Sequence, residues 1–343
     1  MTHTDAVLAS IQFRNFKALR AAALELQPFN LLLGPSGSGK TSLIEALLRL
    51  RSLAGLPAVS AASLAGGQAA APQIVFRFRA PWDRIKVTVG CAPDELVCNA
   101  LAVEHPPGPD GEARWEELRA RLRTIRAHLF DHYAMAAPAR RADGAELATN
   151  AGNLAAVLAG WQEREPAAFA GLTAEFTRLM PEFGGLGLRA AGEGHVELTA
   201  SLAGNGHDVI PAANLSQGTL YLLATLVLAF HPRPPAVVCL EEADRGVHPR
   251  MLREVRDALY RLSYPRDFGL ERAPVQVVTT THSPYLLDQF KEHPEEVVLA
   301  HKHGNRATFQ RLSERTDLVD LLRDSHLGDL WYSGILGGVP GEE

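Results

Sequence analysis

The chain has 343 residues, with 34 Lys+Arg against 39 Asp+Glu and a formal net charge of −5. That length suits about two domains with a real core, and the mild acidity excludes a general attraction to nucleic acid or anionic membrane, so any such contact needs a local patch. Cys91, Cys98 and Cys239 lack metal-ligand spacing and read as free thiols of a reducing compartment rather than a disulfide scaffold.

The polar start, residues 1–5, carries no signal-peptide pattern. Residues 10–16 alternate and predict a strand, and 24–26 a second. Residues 30–33 form a short apolar run suited to a buried parallel strand, and Leu43, Leu47 and Leu50 recur at helical spacing over 41–53. Between them lies Gly34-Pro35-Ser36-Gly37-Ser38-Gly39-Lys40-Thr41, with Ser42 following. A strand, this glycine-rich run and a helix are the context of a phosphate-binding P-loop. Gly34, Gly37 and Gly39 let the backbone turn its N–H groups inward, and the helix start adds partial positive charge. Lys40 is expected to reach the β- and γ-phosphates of ATP, and the Thr41 hydroxyl to hold Mg²⁺.

Residues 54–71, rich in Ala, Gly and Ser, predict a mobile loop. Residues 74–79 and 84–89 predict a hairpin. Trp115, Leu118, Leu122, Ile125 and Leu129 recur at helical intervals, with Arg119, Arg121, Arg123 and Arg126 between them. Glu112, Glu116 and Glu117 dilute that positive charge, which favours a solvated helix face over a nucleic-acid contact. Asn150 is expected to cap a helix over 151–162, Pro166 to open one running to about 180, and strands to follow near 186–189 and 196–202. No internal repeat or heptad pattern is present. The expected domains are 1–72, the N-terminal part of an ATPase core; 73–210, an inserted α+β subdomain; and 211–343, the C-terminal part of the core.

From residue 214 the motifs crowd together. Leu215-Ser216-Gln217-Gly218 precedes an apolar helix carrying Leu220, Leu223, Leu226, Val227 and Phe230. Its apolar run is too short to cross a bilayer. Ser216 stands at the N-cap position, where its hydroxyl and the free N–H groups of the first turn can hold a γ-phosphate of another subunit. Residues 236–240 predict a buried strand ending in Glu241-Glu242, where carboxylates meet the ligand edge of an open α/β sheet. Glu241 is expected to organise Mg²⁺ and Glu242 to orient or deprotonate the attacking water. His248-Pro249 opens a further helix. A last buried strand, 275–280, leads to His282, which can hydrogen-bond a γ-phosphate and report whether it is attached.

This ordered set resembles the ABC-type ATPases of the SMC/RecF/OLD branch, and within it compact bacterial ATPases of the AAA family. The resemblance rests on four segments: residues 11–17 with the P-loop, 215–220, Leu240-Glu241-Glu242-Ala243-Asp244-Arg245-Gly246-Val247-His248-Pro249, and Thr280-Thr281-His282-Ser283-Pro284. It implies an α/β P-loop fold of the ABC head type, with a mixed sheet core and an inserted α+β subdomain. It also implies Lys40 and Thr41 as phosphate and Mg²⁺ ligands, Ser216 and Gly218 as signature contacts across a dimer, Glu242 as catalytic glutamate and His282 as switch histidine. Two positions depart from the pattern: Glu241 stands where an aspartate is usual, and His248 where transporters and SMC heads have an aspartate. Gln68 and Gln73 are weak candidates for the Mg²⁺-contacting glutamine. The OLD nucleases carry a C-terminal metal-dependent nuclease domain, for which this chain has too little room after His282, so no intrinsic nuclease is expected.

The expected protein is a cytoplasmic ATPase, without membrane insertion, that closes as a homodimer around ATP and Mg²⁺. Its output is left open between DNA binding in repair and control of a nearby-encoded effector protein in antiphage defence. The competing readings are a transporter ATPase subunit, against which His248 and the long insertion speak, and a regulatory ATP-binding module with little turnover. A simple P-loop kinase would leave the signature helix and the switch histidine without purpose.

Overall fold

In the computed structural model, which describes residues 6–59, 71–92, 97–142, 144, 146–204 and 208–337, the chain divides into two compact units. The first comprises 1–127, 235–240 and 263–343, and the second 128–234 and 241–262. Residues 73–127, placed by the sequence in an insertion that begins after 72, thus fall in the first unit.

Two sheets build the first unit. One is antiparallel, in the order β2-β1-β4-β5-β6: β1 is Leu8–Phe16, β2 Leu19–Glu25, β4 Gln73–Phe78, β5 Lys86–Cys91 and β6 Cys98–Glu104. The expected hairpin at 74–89 is β4 and β5, with Gln73 opposite Gly90. The other sheet has the order β15-β14-β3-β13-β12-β7. Here β3 is Phe29–Leu33, β7 Arg126–His128, β12 Val237–Leu240, β13 Gln276–Thr280, β14 Val297–His303 and β15 Arg306–Arg311. Strands β14, β3, β13 and β12 run parallel, and β15 turns back antiparallel to β14. Every residue of β3, β12 and β13 is buried, as expected of strands covered on both faces. The polar side chains among them are hydrogen-bonded inside, Asn30 to the Gln27 carbonyl at 2.7 Å and Gln276 to the Leu8 carbonyl at 3.0 Å.

Helix α1, Lys40–Leu53, follows β3 and packs against β5 and β6. Leu43, Leu47 and Leu50 are fully buried in a core that also takes Phe13 and Phe16 of β1, Val87 of β5 and Val278 of β13. Each such side chain contributes about 1.5–3 kcal/mol by leaving water. Helix α2, Pro109–Leu122, buries Trp115, Leu118 and Leu122. It ends earlier than the periodicity predicts, because the next residues form β7, and Leu129 is exposed. Of the arginines along it, Arg119 donates to the Ala54 carbonyl at 2.7 Å and the Arg121 guanidinium lies 5.2 Å from the Trp82 ring. Both are spent inside the unit. Cys91 and Cys98, facing each other across β5 and β6, form a disulfide, which corrects the expectation of three free thiols; Cys239 is free and buried.

The second unit holds a small sheet in the order β11-β10-β8, with β9 also paired to β10. Strand β8 is Ala139–Arg140, β9 Phe183–Ala190, β10 His195–Leu202 and β11 Val209–Pro211. Its helices include Leu154–Arg164, Pro166–Leu179, Gln217–Ala229 and Leu252–Ser263. The first starts later than Asn150. That side chain instead accepts from Gly152 N at 3.0 Å, and Ala151 sits at φ 57° before the helix begins. Among the described residues, no helix is long and apolar enough to cross a membrane. The expected loop at 54–71 falls mostly outside the described residues, as does Gln68; Gln73 opens β4 in the antiparallel sheet.

Candidate functional site

The P-loop occupies the turn from β3 into α1. Gly37 and Gly39 have φ of 77° and 92°, values that only glycine adopts without cost, so the run 36–39 coils tightly before the helix. Gly34 answers a different demand. A methyl group on it would come within 2.4 Å of the Ala300 carbonyl oxygen on β14 and of Ser38 Oγ. The loop is thereby pressed against the neighbouring strand. Lys40 is buried, and its Nζ donates to the carbonyls of Gly34 at 2.6 Å and Pro35 at 3.0 Å. The Ser38 hydroxyl is buried and has no hydrogen-bond partner among the described residues, while Ser36 and Thr41 are exposed and Ser42 half-buried. A buried ammonium, an unsatisfied hydroxyl and the start of a 14-residue helix together fit a phosphate chain.

Strand β13 runs beside β3, and its end is tied there by Thr281 N donating to the Leu32 carbonyl at 3.2 Å. Thr281 is buried and His282, next in the chain, is exposed. Ser283 caps the short helix Pro284–Leu287 by accepting from Leu286 N at 3.3 Å. His282 is therefore held between two fixed anchors at the same strand ends from which the P-loop leaves. On the far side of β3, burial holds the His301 imidazole of β14 below its usual pKa.

In the second unit, Ser216 is the N-cap of the helix Gln217–Ala229, as predicted: its Oγ accepts from Thr219 N at 3.1 Å and lies 2.7 Å from Thr219 Oγ1. The helix begins against the loop that follows the acidic pair. A methyl group on Gly218 would come within 2.7 Å of the Gly246 carbonyl oxygen, and the Gln217 side chain covers Gly246. Ser216, Gln217, Gly218, Val247, His248 and Met251 line part of a cavity of about 300 Å³, and Leu215 precedes it half-buried.

Glu241 directly follows β12, and its N–H donates to the His128 carbonyl at 2.8 Å. Glu242 is exposed, faces Arg245 at 3.7 Å, and holds φ 52°. A side chain bearing a Cβ enters that left-handed region at a cost of about 1–2 kcal/mol. Strain of this size at a chemically placed carboxylate is a pointer to function. His248 acts locally, its Nδ1 accepting from Arg250 N at 3.2 Å and capping the turn Pro249–Met251. Sequence reasoning misses Ala300 and Gly246, the two carbonyls that force glycine at 34 and 218. The hairpin signal Gly304-Asn305 after the apolar run 297–300 marks β14 and β15 as a pair, but not their place beside the loop.

The family model described as "AAA domain, putative AbiEii toxin, Type IV TA system" matches residues 110–288, more than half of the chain. No curated protein matches. Among solved structures, the chain is similar to an Smc head bound to the C-winged helix domain of ScpA. The TM-score is 0.59 at 15% identity, over 89% of this chain and 97% of that one. It is also similar to an Smc head domain with an extended coiled coil bound to the C-terminal domain of ScpA, derived from Pyrococcus furiosus. There the TM-score is 0.55 at 12% identity, over 93% of this chain and 99% of that one. Identities this low carry the fold alone.

Proposed function

The chain belongs to this AAA-domain family and has the fold of an SMC/RecF/OLD-like head, and from that premise we propose that it binds and hydrolyses ATP, with a second copy completing each site. The observation that carries the reading is the anion cradle of 34–42: glycines in left-handed turns, a buried Lys40, and a buried Ser38 hydroxyl that has no partner among the described residues. Lys40 and the loop N–H groups hold the phosphates. Thr41 and Glu241 are the oxygen donors that would hold Mg²⁺, whose charge would offset that of the phosphate oxygens. Glu242 orients and deprotonates the attacking water, and the exposed His282 donates to the γ-phosphate.

Leu215, Ser216, Gln217 and Gly218 present the capped helix start to the partner's nucleotide, in a two-fold symmetric interface. ATP stabilises the closed pair by mass action and hydrolysis releases it. That cycle controls a macromolecular partner, either DNA or an effector protein. A second reading, a regulatory module with slow turnover, is favoured by Glu241, whose side chain is one methylene longer than the usual aspartate.

The test is light scattering and phosphate release at saturating ATP and Mg²⁺. Glu242→Gln is expected to lose about 10²–10⁴-fold in turnover while retaining ATP and accumulating as a dimer, and Lys40→Ala to bind none. A monomeric Glu242→Gln protein with bound ATP would exclude the two-copy site. Unchanged turnover in Glu242→Gln would exclude its catalytic role.

A further inference from the structure

Resting on the nucleotide reading above, we propose that Lys302, on the β14–β15 hairpin, is a second lysine for the nucleotide's polyphosphate chain, reaching the P-loop at a different point from Lys40. Strand β14 lies parallel to β3 with Leu299 opposite Leu33, so the residues after Leu299 continue alongside the P-loop. Ala300 closes on Gly34, as described. Two residues on, a methyl group at Gly37 would find Lys302 Nζ at 3.4 Å, Cε at 3.8 Å and Cδ at 3.9 Å. The outer half of the lysine thus lies along Gly37 while remaining exposed.

The hairpin that carries Lys302 is fixed. It is paired from Val298–Arg311 to His303–Arg306, Ala307 N donates to the Ala18 carbonyl at 2.8 Å, and a methyl group on Gly39 would meet the Ala307 Cβ at 3.4 Å. Gly304, at φ 57°, forms its turn.

Charge supplies the second argument. Lys302 is exposed and makes no hydrogen bond or ion pair among the described residues, although long side chains on such surfaces commonly find a carboxylate. Two ammonium groups and a helix N-terminus consequently share one loop. They repel one another until an anion arrives. Lys40 meets the loop at Gly34 and Pro35, Lys302 at Gly37, and a ligand that satisfies both is extended and multiply charged. A nucleoside triphosphate has that chemistry. Because Lys302 is exposed, engaging the ligand costs it little desolvation.

The full chain is titrated with ATP by calorimetry, and the ATP is displaced with inorganic tripolyphosphate, which lacks base and ribose. Lys302→Ala is expected to weaken both ligands by the same factor, about tenfold, the scale of one charge-assisted hydrogen bond. Lys302→Arg should recover most of the loss and Lys302→Glu deepen it, with nucleotide-free melting midpoints equal to wild type. Unchanged ATP affinity in Lys302→Ala, or weaker ATP with unaltered tripolyphosphate, overturns the proposal. If binding is lost in Lys40→Ala but intact in Lys302→Ala, the P-loop reading survives and only the second lysine fails. Wild type that binds neither ligand removes both.

Discussion

The phosphate cradle in the first unit and the capped signature helix in the second both depend on a glycine held against a backbone carbonyl, but they are specified in different ways. The cradle is one unbroken run, 34–42, whose curvature comes from its own left-handed glycines; the neighbouring strand presses backbone against it at Gly34. The signature helix has ordinary local chemistry, a serine cap before an apolar run, and its distinctive position comes from the remote loop at Gly246. Local conformation makes the first region. Tertiary approach makes the second.

Substituting the two pressed glycines separates these causes most sharply. Gly34→Ala sets a methyl group 2.4 Å from the Ala300 carbonyl, inside a sheet that cannot yield without moving β14. A loss of about 3 kcal/mol is expected, at the upper end of overpacking costs. Gly218→Ala meets the Gly246 carbonyl at 2.7 Å, on an exposed loop that can shift, so about 1–2 kcal/mol is expected. Chemical denaturation of both variants checks the order. Equal losses would mean that the loop at Gly246 is as rigid as a sheet strand, and the contrast between the regions would fall.

That contrast also explains how much was legible beforehand. The P-loop, the Ser216 cap, the strand ending in Glu241 and the hairpin of β4 with β5 could be read from residues because spacing alone encodes them. The fold itself, an SMC-head-like α/β architecture, followed from their order and from the resemblance. Other features depend on residues distant in sequence. The Cys91–Cys98 bridge arises because β5 and β6 align those two positions, which cysteine spacing does not reveal. The early end of α2 is imposed by β7 joining the sheet, although Ile125 continues the helical period and is buried. Lys302 carries no motif; only the parallel register of β14 with β3 brings it to the loop.

Removing the cap tests the local half of the signature region. In Ser216→Ala the Thr219 N–H loses its acceptor, which costs about 1 kcal/mol for a typical N-cap. Thr219 Oγ1 also loses the hydroxyl that it faces at 2.7 Å. The expected denaturation shift lies at the lower end of that for Gly218→Ala, with nucleotide affinity of the isolated chain unchanged because the P-loop belongs to other residues. If Ser216→Ala proves the more damaging of the two, the helix start is governed by its cap rather than by the loop against it.

The smallest effect has the opposite sign and concerns Glu242. Its φ of 52° is a position that the turn after β12 imposes, since Arg245 N donates to the Glu242 carbonyl at 2.9 Å and closes the turn. Glycine tolerates that φ, while its extra freedom in the unfolded chain offsets part of the relief, so Glu242→Gly is expected to stabilise by about 0.5–1 kcal/mol. The ion pair with Arg245 subtracts little, because both groups are largely exposed and the separation is 3.7 Å. Glu242→Gln keeps the Cβ and should leave stability near wild type. A Glu242→Gly chain that melts higher yet hydrolyses no ATP would mark the strain as the cost of holding a carboxylate where water is attacked. If it melts lower, the left-handed turn is stabilised by Glu242 itself, and the strain argument for its chemical role is withdrawn.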